Sequence, residues 1–371
     1  MINKMKLLLL ATIWIITLSA TAQESGRDAY WSVDYLRGPV YDHRNLAGAL
    51  NLGTTQGVGV SYLRRVDGSE PWHHYYRRPK LGVAAYYEDF GYPDVLGKAF
   101  SAALVSDFHI VKRRLFDFDL NIQAGAAYLT KKFDAQTNNH NLYIGAKASA
   151  FFRFGFELVA MPESRVSMVA GLNFVHYSNG AMKLPNLGLN LCQLNLGARM
   201  RVKKELAEVR EFDATAAVID RRWRYQAFLS FGCREQGTPL GDKYFVTTMA
   251  FNALRPVTKK FVAGVGIDLM RDGSEANDLD GDSGFFKLMS GGIHGSAGLE
   301  FGKVYAALEI GGYLFSEVKS FFDMYDRVTV NYNFNNRLIA HVGLRTFLMK
   351  AYYIEWGMGV RIGSVGTDKN N

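Results

Sequence analysis

The chain of 371 residues is poor in cysteine and proline, with two and eight respectively. Beyond its amino terminus, no apolar run approaches the roughly 20 residues that a membrane helix needs. That excludes a helical bundle in lipid. Two cysteines, Cys192 and Cys233, permit one disulfide at most in an oxidising compartment, with free thiols the simpler expectation. No repeat of fixed period is visible, so a solenoid is not indicated.

Lys4 and Lys6 precede the apolar run from Leu7 to Ile16 and the small-residue sequence Ala20-Thr21-Ala22, which is the pattern of a secretory signal peptide over residues 1–22. Cleavage after Ala22 would place Gln23 at the mature terminus, where no cysteine stands to accept a lipid anchor.

Aromatic and small residues are abundant: 25 Phe, 20 Tyr and 37 Gly, with hydrophobic residues at 48%. Mean hydropathy nevertheless stays near zero, at -0.07, because the apolar residues are dispersed. In the segment from Phe116 to Tyr128 the even positions are Phe116, Phe118, Leu120, Ile122, Ala124, Ala126 and Tyr128, while Asp117, Asp119, Asn121 and Gln123 fall between them. Tyr352, Ile354, Trp356, Met358, Val360 and Ile362 repeat the pattern near the carboxyl terminus. Alternation over ten or more residues with aromatic ends fits a tilted transmembrane strand better than a soluble sandwich. The expected fold is therefore all-β, a transmembrane antiparallel β-barrel.

About 16 such segments can be marked, from 29–39 to 350–362, including one at 142–159. Residues 23–203 hold the first eight, a charged and non-alternating stretch at 204–222 reads as a periplasmic connection, and residues 223–371 hold the second set. A single closure of about 16 strands is favoured because both sets alternate equally cleanly. The alternative is an eight-stranded barrel followed by a second β-domain. Placing the first strand as rising from the periplasm puts the segments 130–141, 179–188 and 271–288 outside the cell.

The formal charge of +8 does not point to nucleic acid in an exported chain. It suits anionic headgroups or lipopolysaccharide phosphates, or simply a solvated surface.

The segment that carries chemistry is His176-Tyr177-Ser178-Asn179-Gly180, followed by Lys183, Pro185-Asn186, Gly188 and Asn190. Val166, Met168, Ala170, Leu172 and Phe174 share a parity with His176 and Ser178, so both polar residues are expected to face lipid near the outer rim. Asn190 precedes Cys192, Leu194 and Leu196 on the same apolar parity and joins them. Polar groups in such a position are costly unless something uses or satisfies them. An imidazole two residues from a hydroxyl on one face can serve as its general base, making Ser178 a nucleophile toward an ester and Asn179 a candidate for the oxyanion. His294 and Ser296 form another such pair without the following Asn, and read as ordinary strand residues.

The run from His176 to Gly188 closely resembles the active-site signature of the outer-membrane lipid A 3-O-deacylases of the PagL type, with the similarity extending over roughly residues 28–203. The resemblance implies an eight-stranded barrel that removes the ester-linked hydroxyacyl chain at position 3 of lipid A. It implies His176 as base, Ser178 as nucleophile, and Asn179 and Asn186 as supports for the oxyanion or the loop. The family places an acidic residue about fourteen positions after the His, where this chain has Asn190. Asparagine can orient an imidazole through a hydrogen bond but cannot stabilise imidazolium by charge.

The expected partners are therefore lipid A of the outer leaflet and membrane lipids, with no nucleic acid, cofactor or metal. The alternative is a porin-like or transport barrel with an inactive motif, in which Lys147, Arg153, Arg199 and Arg201 on the lumen parity set solute selectivity. Two weaker metal patterns are present. Asp278, Asp280 and Asp282, near Asp272 and Glu275, resemble part of a calcium loop, and His73-His74 lacks a second ligand pair.

Overall fold

A segment that alternates strictly presents one apolar and one polar face, and a sheet of such segments can shield its polar face from lipid by curling shut. The computed structural model describes residues 28–41, 53–203, 219–237, 239–277, 279, 284–317, 324–347 and 350–362. The segment 1–22 and most of the expected connection 204–222 lie outside the described residues, as do Asp278, Asp280 and Asp282.

Sixteen antiparallel strands run in chain order. The first eight are β1 (Ala29–Pro39), β2 (Thr54–Arg65), β3 (Lys80–Asp89), β4 (Lys98–Lys112), β5 (Phe116–Leu129), β6 (Ala148–Ala160), β7 (Val166–Ser178) and β8 (Leu189–Lys203). They are followed by β9 (Arg224–Glu235), β10 (Lys243–Pro256), β11 (Phe261–Asp272), β12 (Met289–Phe301), β13 (Val304–Phe315), β14 (Met324–Asn333), β15 (Leu338–Phe347) and β16 (Lys350–Ile362).

The strands form two closed barrels of eight, the second of the two arrangements that the sequence leaves open. β8 returns to β1, from Ala29 opposite Lys203 to Arg37 opposite Leu194, and β16 returns to β9, from Glu355 opposite Gly232 to Ile362 opposite Tyr225. With both edges of β8 occupied, by β7 and by β1, it has no hydrogen-bonding edge left for a ninth strand. Alternation cannot reveal this, because it specifies faces and not which edges meet.

In the first barrel the apolar parity faces outward. Leu194 and Leu196 are 62% and 64% exposed, while Asn173, Gln193, Asn195 and Arg199 are buried in the lumen. Eight strands leave an interior that side chains fill, and here they do so with linked polar groups. Asn173 donates to Asn195 at 2.7 Å, Arg199 donates to Glu157 at 2.9 Å, and Lys80 reaches both Asp107 and Asp119 at 3.1 and 3.0 Å. Toward the Ser178 end the interior becomes apolar, where Leu36, Phe90, Leu96, Leu129, Tyr143, Ile144, Phe151, Leu189 and Leu191 pack together.

The second barrel follows the same division. Arg327 is clasped by Glu309, Asp268 and Glu355 in its lumen, and the guanidinium, which is fully buried, offsets part of their charge, with Arg345 3.9 Å from Asp268. His294 and Ser296 also point into this lumen. His294 bonds Asp268 and Asn252 at 2.9 and 3.1 Å, and Ser296 contacts the Tyr305 hydroxyl at 3.1 Å.

Three details differ from the sequence expectations. The segment 142–147 is loop rather than strand, and β6 begins only at Ala148. Lys147 is therefore exposed, its ammonium 5.9 Å from the Tyr128 ring, and does not line the lumen as Arg153 and Arg199 do. The connection after β2, long for a turn, contains the short helix α1 (Pro71–Tyr75). His73 and His74 serve that connection. His73 Nδ1 accepts from the Gly68 amide at 3.1 Å, and His74 Nε2 lies 2.7 Å from the Gly68 carbonyl. Cys192 and Cys233, by contrast, are free thiols as the sequence favours.

If the outward face of β8 lies in lipid, Leu196→Arg at mid-strand is expected to destabilise the barrel by about 2–4 kcal/mol. Urea titration of the protein refolded into bilayers measures it, and a cost near zero would mean that this face is not in lipid.

Candidate active site

β7 and β8 form an antiparallel pair whose register sets His176 directly opposite Asn190. Both side chains fall on the outward parity, and both are half-buried where Leu172 and Leu194, further down the same faces, are exposed. His176 Nδ1 lies 2.6 Å from Asn190 Oδ1. A carbonyl oxygen only accepts, so with Oδ1 facing the ring it is Nδ1 that carries the proton, and Nε2 is left with a lone pair.

Ser178 is the last residue of β7 and shares the face of His176. It is 8% exposed, more covered than an open rim position would be. Asn186, from the loop joining β7 to β8, covers it. The Asn186 amide donates from Nδ2 to Ser178 Oγ at 2.9 Å and accepts at Oδ1 from the Asn179 backbone amide at 3.0 Å. One planar group thus bridges hydroxyl and backbone, and the second bond fixes which way the first points. Asn179 is buried, and its backbone N–H is engaged by Asn186.

The loop holding Asn186 is itself tied down. The amides of Leu187 and Gly188 donate to the carbonyls of Leu142 and Tyr143 at 3.2 Å each, and Leu187 packs against the apolar cluster that fills this end of the barrel. The segment 142–147 that failed to become strand is the segment that anchors the loop. The Asn141 side chain accepts from the Ile144 amide at 3.1 Å and donates to the Val95 carbonyl at 2.8 Å.

Of the residues singled out in the sequence, the structure joins His176 to Asn190, and Ser178 to Asn186 and thence to Asn179. Gly188, at the end of the same run, shapes the site through its backbone. Its φ of +76° lies in the left-handed region, and a Cβ there would come within 2.7 Å of His176 Cε1. A glycine directly before a strand and two residues from Asn190 was the available signal, although neither constraint is visible without the backbone path. On the wall beside the site, Phe152 stands opposite His176 across β6, and Phe154 packs on Phe174 with ring centroids 5.6 Å apart. A half-buried imidazole, a covered hydroxyl and an amide clamp on the outer wall, next to exposed aromatics, form an arrangement suited to an acyl ester presented from the membrane.

The family model for lipid A 3-O-deacylase (PagL) matches residues 56–199, and that for the acyloxyacyl hydrolase C-terminal domain matches residues 223–364. Together they take in well over half of the chain. The crystal structure of the outer-membrane enzyme PagL is similar at 17% identity with a TM-score of 0.32, covering 46% of this chain and 99% of that one. The FrpB iron transporter from Neisseria meningitidis is 8% identical with a TM-score of 0.24, covering 92% of this chain and 70% of that one. The outer-membrane protein Omp33 of Acinetobacter baumannii is 9% identical with a TM-score of 0.16, covering 92% of this chain and 100% of that one. No curated protein matches significantly.

Gly188→Ala is expected to lower stability by about 1–2 kcal/mol from the left-handed backbone alone, and to push the imidazole off Asn190. Denaturant titration reads the first effect. An unchanged midpoint would show that the loop moves freely enough to relieve the contact.

Proposed function

Because the chain belongs to the lipid A 3-O-deacylase (PagL) family of the outer membrane, we propose that its first barrel hydrolyses the ester holding the 3-hydroxyacyl chain of lipid A by a His/Ser mechanism. The observation that carries this reading is the outward-facing pair of contacts, His176 to Asn190 and Asn186 to Ser178, on a wall otherwise apolar.

In this reading Ser178 Oγ attacks the ester carbonyl while its proton passes to His176 Nε2, the nitrogen left unprotonated by the Asn190 contact. The carbonyl oxygen takes up the negative charge of the tetrahedral intermediate. The Asn186 amide, which lies at Oγ and is held by the Asn179 backbone, supplies a donor beside that charge. Collapse breaks the bond to the sugar oxygen, which leaves with the proton from His176. Water, deprotonated by the same imidazole, then attacks the acyl-serine and releases the fatty acid. Asn190 sets the ring's orientation and tautomer throughout. As a neutral amide it holds the imidazolium by hydrogen bonding alone, where an acid would add charge stabilisation.

The position of the site supports a lipid substrate over a solute. An acyl chain lying in the outer leaflet reaches this wall sideways, and His176 and Ser178 do not point into the lumen. A pore reading is disfavoured by the interior, since both closures have eight strands and Arg153, Arg327 and Arg345 are among the largest fully buried side chains.

Mass spectrometry of lipid A from cells producing the protein tests the proposal. Loss of one hydroxyacyl mass is expected with the wild type and not with Ser178→Ala or His176→Ala, each folded in the membrane. Unchanged lipid A with the wild type on an acylated substrate would overturn it. A second expectation concerns Asn190. Asn190→Leu keeps the volume but removes the acceptor, and the loss of a hydrogen bond to a group that becomes charged, about 1.5–3 kcal/mol, corresponds to roughly ten- to a hundredfold in kcat. Asn190→Glu should retain or raise activity, and equal rates for all three side chains would remove Asn190 from the mechanism.

A further inference from the structure

The lumen of the first barrel contains a second polar cluster, at the end remote from Ser178. Asp117 and Asp119 sit two apart on β5 and share its inward face, and His109 stands opposite Asp119 across β4. From His109 to Val111 the register of β4 skips one residue, so a bulge at this point turns the strand just where the imidazole leaves it. His109 Nδ1 lies 2.7 Å from Asp119 Oδ1 and 3.8 Å from Asp117 Oδ2, and one ligand atom from each of the three residues falls within 4.8 Å of the others. All three side chains are buried. Strand pairing carries Asp117 across β6 to Val169 on β7, nine residues from Ser178, so the cluster is roughly 30 Å along the strands from the candidate active site.

Cations surround the cluster, with Lys80 and Arg199 on Asp107 and Asp119 and with Arg65 and Lys112 near Asp117, but they leave one of its carboxylate oxygens without a hydrogen bond. Lys80 bonds Asp119 through Oδ2 and Asp107 through Oδ2, and Arg199 reaches that same Asp107 oxygen at 3.2 Å. Asp119 thereby keeps Oδ1 for the centre of the cluster. Asp117 Oδ1 is buried with no hydrogen-bond partner among the described residues, although its side chain is only 3% exposed. A buried carboxylate oxygen without a hydrogen-bond partner is costly even with cations nearby, and a ligated metal ion would satisfy the group directly.

We propose that His109, Asp117 and Asp119 bind one divalent transition-metal ion of the zinc type, as a structural site that joins β4 to β5. One imidazole nitrogen and two carboxylate oxygens suit zinc, whereas magnesium and calcium call for an all-oxygen shell. With the ion bound, the hydrogen bond between His109 and Asp119 is replaced by two metal bonds. The imidazole proton moves from Nδ1 to Nε2, so the ring stays neutral and no net proton is released. Lys80 on the outer oxygen of Asp119 then orients that ligand from behind.

The full chain, refolded in detergent, stripped with a chelator and equilibrated with zinc, is expected to retain one zinc per chain and to unfold at a higher temperature than the stripped form. X-ray absorption at the zinc edge should show nitrogen and oxygen neighbours and no sulfur. His109→Gln and Asp117→Asn should each lose the retained zinc and the thermal shift, while migrating as folded barrels on unheated gels. Absence of retained zinc in the wild type, zinc retained equally by Asp117→Asn, or a sulfur-containing shell would each overturn the assignment. The X-ray measurement uses wild-type protein and stands whether or not the variants fold.

Discussion

Closing eight strands around a filled interior gives every side chain one of two surroundings, lipid or a crowded lumen, and adjacent residues always receive opposite ones. The molecule depends on that constraint. Along β7 it sends Asn173 into the lumen, where Asn195 and Arg153 satisfy it, and sends Leu172 and Phe174 outward. When the outward series continues into His176 and Ser178, the lumen network lies on the other face of the strand. The adjacent strand and the loop above supply partners, Asn190 and Asn186. The same constraint separates two His-x-Ser pairs that are identical as motifs. His294 and Ser296 fall on the inward parity of β12 and are absorbed into the interior of the second barrel.

The sixteen strands were legible because alternation is a local property, and each marked segment became a strand. Their closure was not, because the edge on which β8 terminates depends on pairing with β1, some 170 residues earlier, and parity is silent about edges. The segment 142–147 shows the opposite failure. Tyr143 and Ile144 are apolar enough to read as strand, but they serve the buried cluster at the barrel's end, and their neighbourhood provides carbonyls to the β7–β8 loop.

Within the site, strand positions could be read and loop positions could not. Counting along β7 and β8 was enough to place His176, Ser178 and Asn190 on one face. The role of Asn186 depends on a turn that brings its amide back over Ser178, and the role of Gly188 on a left-handed backbone angle that leaves room for the ring. Residues in loops take their function from the path of the chain, which periodicity does not encode. The cluster of His109, Asp117 and Asp119 was missed for a different reason. The residues lie on the polar parity, where charged groups are expected, and the strand register that sets His109 opposite Asp119 leaves no mark on the alternation.

The most direct test of the central claim, that Ser178 is a nucleophile activated by an outward-facing imidazole, is labelling of the refolded protein with a fluorophosphonate, followed by peptide mass spectrometry. The account predicts one modified residue, Ser178, with labelling abolished in His176→Ala. Modification at another serine, or none in a folded protein that accepts lipid substrate, would contradict it.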